Sequence, residues 1–172
     1  MKITSLATCV GFIGLCLPAH AGLMGSTINL REFFPNLSTM TADDGTTTVS
    51  NAVEFPVGRL VVNITDTQIL LTYTGLTGIG FAPAAFFGYE FLFSGATITG
   101  ATVNGSSAFN PVISVTGNNI FLNYQGVNTG AGPTTSIIDV TTSVSATPEP
   151  GSLTLLGAGL IGLRCWYKRR LA

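Results

Sequence analysis

Two glutamates sit in apolar, strand-like contexts, Glu54 in "NAVEFPVG" and Glu90 in "FGYEFLF", and they are the side chains of this 172-residue chain most suited to acid–base work. Two carboxylates facing one another across a cleft hydrolyse glycosidic bonds, one as the acid and the other as base or nucleophile. A carboxylate on a strand far more often faces water or pairs with a cation. Arg59 is the partner expected here, and no catalytic role is assigned. Asp43-Asp44-Gly45 offers oxygens of the kind Ca²⁺ takes, but the D-x-[DN]-x-[DN]-G spacing of a calcium loop is missing, so a solvated loop is expected. Asn36, Asn63 and Asn104 begin N-x-[ST] triplets, which chance supplies in a chain rich in Asn, Ser and Thr.

The remaining inventory excludes more than it offers. Cys9, Cys16 and His20 lie near the N-terminus and Cys165 near the C-terminus, so residues 22–147 contain no Cys, no His and no Lys. That span therefore holds no disulfide framework, no zinc site built on His or Cys, no Ser-His-Asp or Cys-His nucleophile and no Schiff-base lysine. No metal and no cofactor is expected. Arg31 and Arg59 face seven carboxylates in the span, a formal charge of −5. So few cations make nucleic acid a poor partner.

What must position any site reads as strands. In "RLVVNI", Leu60, Val62 and Ile64 share one face, and in "QILLTYT" Ile69, Leu71 and Tyr73 do the same. The polar "TDT" between them is a hairpin turn in which Asp66 accepts from nearby N–H groups. "FFGYEFLFSG" places Phe87, Tyr89, Phe91 and Phe93 on one face, with Phe86, Gly88, Glu90 and Leu92 opposite, as in a strand buried on both sides near the middle of a sheet. "ATITGATV", "PVISVTG", "NIFLNYQG" and "TSIIDVTTSV" continue the series, and the 24 Thr suit a half-buried pleated surface. "STINLREFF" reads as an edge strand and "LSTMTADDGTTT" as a loop. The expected fold is all-β, a β-sandwich or jelly-roll-like ectodomain over residues 22–145 with about 8 or 9 strands. Tyr124, Phe109 and Tyr73 are expected to be exposed and are the rings that would serve a carbohydrate-binding surface.

The two ends differ from this middle. "MKITSLATCVGFIGLCLPAHA" has a Lys2 n-region, an apolar stretch from Leu6 to Leu17 and a small-x-small site at Ala19 and Ala21, the parts of a signal helix over residues 1–21. Near the other end, Pro148-Glu149-Pro150 is held extended, because proline disfavours helix at the residue before it. An apolar helix over residues 152–167 follows, then a basic end at residues 168–170. Arg164, Lys168, Arg169 and Arg170 are four of the chain's seven Lys and Arg residues, and a cluster of this kind stops transfer on the cytoplasmic side. About 15 helical residues reach only ~22 Å, a marginal single span and a temporary hold.

The Pro-Glu-Pro triplet, the Leu/Gly/Ala run and the terminal arginines of residues 146–172 resemble the PEP-CTERM sorting signal of Gram-negative bacteria, also classed as the ice-binding protein C-terminal domain. The resemblance implies recognition by an exosortase, a transient stay in the inner membrane and transfer to the cell surface or exopolysaccharide matrix. The bulkier "RCWYK" ending departs from the commoner Leu/Ala/Arg one. The "VEF", "LVVNITDTQI" and "GYEF" progression is similar to the short all-β secreted domains that often carry this tail. The expectation is a non-enzymatic structural or adhesive protein of the cell surface or biofilm matrix. A carbohydrate-binding module, with exopolysaccharide as partner, is the alternative, and a carboxylate-dependent hydrolase the more remote one.

Overall fold

The structure, a computed structural model, describes residues 22–75 and 77–143, and the signal and single-span helices expected at the two ends lie outside them. Ten strands occupy the described span: β1 (Thr27–Phe33), β2 (Met40–Thr48), β3 (Val53–Val57), β4 (Leu60–Ile64), β5 (Gln68–Tyr73), β6 (Gly88–Ser94), β7 (Thr97–Val103), β8 (Val112–Thr116), β9 (Asn119–Asn123) and β10 (Thr134–Ser143). They form two five-stranded sheets, ordered β2-β1-β6-β9-β8 and β3-β4-β5-β10-β7. Every ladder is antiparallel.

The alternation read from the sequence is what closes the two sheets on one core. Leu60, Val62 and Ile64 of β4 and Ile69, Leu71 and Tyr73 of β5 are all buried, and the turn at Asp66 joins them as expected. Asp66 accepts from the N–H of Met24, tying the start of the domain to this hairpin. From the first sheet come Ile28, Leu30, Tyr89, Phe91, Phe93, Ile120 and Leu122, which pack with the inward residues of the second in a single cluster. The hydroxyls of Tyr73 and Tyr89 meet across the two sheets at 2.7 Å. β6 is the central strand of its sheet and nearly all of it is buried, as expected of a strand covered on both sides.

The stretch before Gly45 departs from expectation. β1 is not an edge strand: it lies between β2 and β6, and the edge is β2, the segment read as a loop. "MTADDGTTT" has no apolar alternation because it pairs on one side only and its register shifts twice, between Leu30 and Arg31 and between Glu32 and Phe33. Each bulge adds a residue and breaks the period of two. Gly45 has a φ of 89°, a conformation a glycine adopts without steric cost. β2 accounts for the strand count rising to ten.

Candidate functional site

The outward face of the first sheet gathers polar side chains row by row. In register, Asp43 of β2, Arg31 of β1, Glu90 of β6 and Phe121 of β9 share one row. Arg31 Nη1 lies 3.4 Å from Glu90 Oε2, and Arg31 Nε lies 3.9 Å from Asp43 Oδ2, a charge contact too long for a hydrogen bond. Asn119 Nδ2 donates to the other oxygen of Glu90 at 2.8 Å, and Asn29 Nδ2 donates to Asp43 at 2.9 Å and to Thr46 at 3.2 Å. Glu90 is therefore buried but compensated, by Arg31 and not by Arg59, which makes no ion pair with a described residue.

Glu54 is built in differently. Its Oε1 accepts from Ser50 N–H at 2.9 Å and its Oε2 from Ile64 N–H at 2.7 Å, so it clasps the loop before β3 to the end of β4. Glu54 belongs to the second sheet and Glu90 to the outward face of the first, so the structure does not bring the two expected candidates together across a cleft. Asp139 is held by Gln68 Nε2 at 2.7 Å and Asn104 Nδ2 at 2.8 Å, which occupies the side-chain amide of one N-x-[ST] asparagine. Asp43 is lowered from the usual carboxylate value because the Asn29 amide, then the Gly45 N–H, hydrogen-bonds its charged form.

Sequence reasoning missed Glu32. It is opposite Tyr89 in the β1–β6 register and shares the core-facing parity of Ile28 and Leu30. Burial raises its pKa, and the negative charge of Asp44 raises it further. Asp44 is raised in turn, by burial and then by Asp43. Burial also pushes the phenols of Tyr73 and Tyr89 upward, so both stay neutral hydrogen-bonding groups. The signal that would have found Glu32 is a charge at an inward position of an otherwise apolar alternation.

A testable pH dependence follows from the sign of these shifts. A carboxyl with a raised folded pKa holds its proton more tightly when folded, so its contribution is complete below the unfolded value and is lost as pH rises through the folded one. For Glu32 the unfolded value is 4.5 and the loss falls above it. The melting temperature is expected to rise as pH is lowered from neutral towards that value, and the slope should flatten in Glu32→Gln. Asp43 works in the opposite sense: its stabilisation is present above 3.8 and lost as pH falls through its lowered folded pKa. Thermal scans at several pH values check both limbs, and an unchanged slope in Glu32→Gln would contradict the assignment.

The rings expected to be exposed are corrected by the structure. Tyr124 is 0 % exposed, Phe109 4 % and Tyr73 5 %. Tyr124 stacks on Phe81 with centroids 5.1 Å apart and touches Phe109 at 5.3 Å and Tyr89 at 6.2 Å, while its hydroxyl donates to Ser136 Oγ at 2.9 Å. Tyr73 packs edge-on against Phe81 and Phe109. These are core residues because each shares its face with apolar neighbours or closes the end of the core. Around Phe86, Phe33 and Phe121 pack at interplanar angles of 86° and 88°, edge to face, which offers no line of parallel rings for a sugar.

A depression of about 230 Å³ between Thr27, Asn29, Thr46, Leu92 and Ser94 is smaller than the ~300–1,000 Å³ typical of ligand pockets. Among the described residues no group of three or more His, Cys, Asp or Glu is arranged to hold a metal, and no helix is long and apolar enough to cross a membrane. The sorting residues Pro148, Glu149, Pro150, Arg164, Lys168, Arg169 and Arg170, and the cleavage residues Ala19 and Ala21, lie outside the described span.

Comparison with known proteins therefore bears on the tail. No curated protein and no solved structure matches the chain. A family match covers residues 146–170, the segment that holds the Pro-Glu-Pro triplet, the apolar run and the basic end. A motif of this kind implies recognition by an exosortase, a membrane enzyme, and export to the cell surface of a Gram-negative bacterium. The chain carries, on an all-β domain, the PEP-CTERM protein-sorting motif.

Proposed function

We propose that the chain is a structural or adhesive component of the cell surface or the extracellular matrix, delivered through its PEP-CTERM tail and without catalytic activity of its own. The observation that carries the reading is the sorting motif at residues 146–170. Supporting it, Glu54 is engaged by backbone N–H groups, and Glu90 and Asp139 by side-chain donors, as scaffold carboxylates are. Pro148-Glu149-Pro150 would be the recognition or cutting point. The apolar run would hold the chain in the inner membrane until then, with Arg164, Lys168, Arg169 and Arg170 on the cytoplasmic side. The carbohydrate-binding alternative loses its named rings to the core.

The mass of the chain recovered from its host, fraction by fraction, tests the reading. The expected product begins at Gly22, ends between Thr147 and Gly151, and is found outside the inner membrane. Replacing Pro148, Glu149 and Pro150 together by alanine should leave the uncut chain in the inner-membrane fraction. A native chain that keeps its basic end and stays in membranes would make the tail a permanent anchor and defeat the proposal.

A further inference from the structure

Three of the four sheet edges are guarded, and one is not. β2 carries Asp43 and Asp44 and two register shifts, and β3 carries Glu54, Pro56 and a register shift between Val53 and Phe55. β7 has a register shift where it meets β10, between Thr141 and Thr142. Charges, proline and bulges are the devices that stop an edge from pairing with another chain. β8 has none of them. It runs against β9 in unbroken register from Val112–Asn123 to Thr116–Asn119, and among the described residues no strand pairs with its other side. Val112, Ser114 and Thr116 point outward and are exposed, Val112 to 69 %.

The charge distribution singles out the same side. No Asp, Glu, Lys, Arg or His occurs between Glu90 and Asp139, so β7, β8, β9 and their connections are uncharged in a domain of formal charge −5. All the acids of the domain lie elsewhere in the chain.

We propose that β8 is a self-association edge, at which a second copy of this chain pairs β8 to β8, antiparallel about Ser114, to make one continuous sheet of twice five strands. In that register Ser114 is opposite Ser114, Ile113 opposite Val115, and Val112 opposite Thr116. Outward residues meet outward ones and inward meet inward, so both faces of the sheet continue across the join. Coulomb repulsion between two negatively charged copies is weak at this edge: the nearest acid of its sheet, Glu90 on β6, is two strands away and paired with Arg31. β2, with Asp43 and Asp44, is four strands from β8 in the order β2-β1-β6-β9-β8. At about 4.8 Å per strand that is ~19 Å, beyond the screening length of about 8 Å at physiological salt.

Cysteine cross-linking of the chain as its host carries it, in both the membrane and the external fractions, reads the contact directly. Residues opposed in an antiparallel pair have Cα atoms about 4.5–5.5 Å apart, within the range a disulfide spans. Ser114→Cys is expected to give a reductant-sensitive species of twice the chain mass, above the baseline set by the native cysteines. Thr48→Cys, exposed on the guarded edge, should give none above that baseline. No gain at Ser114→Cys, equal gain at both positions, or linkage of Ser114→Cys to a different protein would overturn the proposal. As a second measurement, Ser114→Lys puts like charges opposite one another and should halve the assembled mass seen by light scattering in detergent. An unchanged mass would count equally against it.

Discussion

Tyr124→Ala is expected to cost about 3–5 kcal/mol of folding stability, in line with large aromatic truncations in packed interiors. Tyr124 is fully buried and sits where the two sheets share their aromatic cluster, against Phe81, Phe109 and Tyr89. Those three neighbours come from the connection before β6, the connection before β8, and β6 itself. Folding stabilities of about 5–15 kcal/mol leave little margin after such a loss. Tyr124→Phe separates the packing from the hydrogen bond. It keeps the ring but removes the donor to Ser136, itself 0 % exposed, and should cost about 1–3 kcal/mol. Equilibrium denaturant unfolding followed by circular dichroism measures both. A loss in Tyr124→Ala no larger than in Tyr124→Phe would mean that the cluster is not packed as described.

The same residue shows how far the sequence could be read. Ile120, Leu122 and Tyr124 alternate, so parity already put Tyr124, the residue just after β9, on the inward side, and reading it as exposed ignored its own neighbours. Tyr73 shares a face with Ile69 and Leu71 for the same reason. Phe109 lies in a connection where alternation says nothing, and only the fold places it under Tyr73 and Tyr124. β4, β5 and β6 were legible because burial on one or both faces writes a period of two into their residues. β2 was illegible because two bulges and a single pairing partner erase that period. Partners of the acids were the least accessible: Arg31 meets Glu90 across 59 residues of sequence, while Arg59 is nearer to Glu54 in the chain and pairs with neither. The sorting tail was the opposite case, since its order of triplet, apolar run and basic end is itself the signal.

Gly88→Ala is expected to destabilise the domain by about 3 kcal/mol or more, although it adds one methyl group. Gly88 opens β6, the central strand of the first sheet, and pairs with Phe33 on one side and Asn123 on the other. A Cβ at this position would collide with the backbone carbonyl of Leu122 and come within 3.3 Å of Asn123 Cα. The obstacle is main chain, so no side-chain rotation relieves it, and β6 and β9 would have to separate. That separation would pull on Tyr124 N–H to Phe87 carbonyl at 2.8 Å and Phe87 N–H to Asn123 Oδ1 at 3.0 Å, the contacts that close this end of the ladder. Gly100→Ala is the control, because a Cβ there meets nothing within 4 Å and its effect should stay within about 1 kcal/mol. Denaturant midpoints of the two variants decide the matter. Equal midpoints would show that β6 and β9 tolerate a wider spacing than the packing implies, whereas a large loss confined to Gly88→Ala would show that the close approach of these two strands holds the aromatic end of the core together.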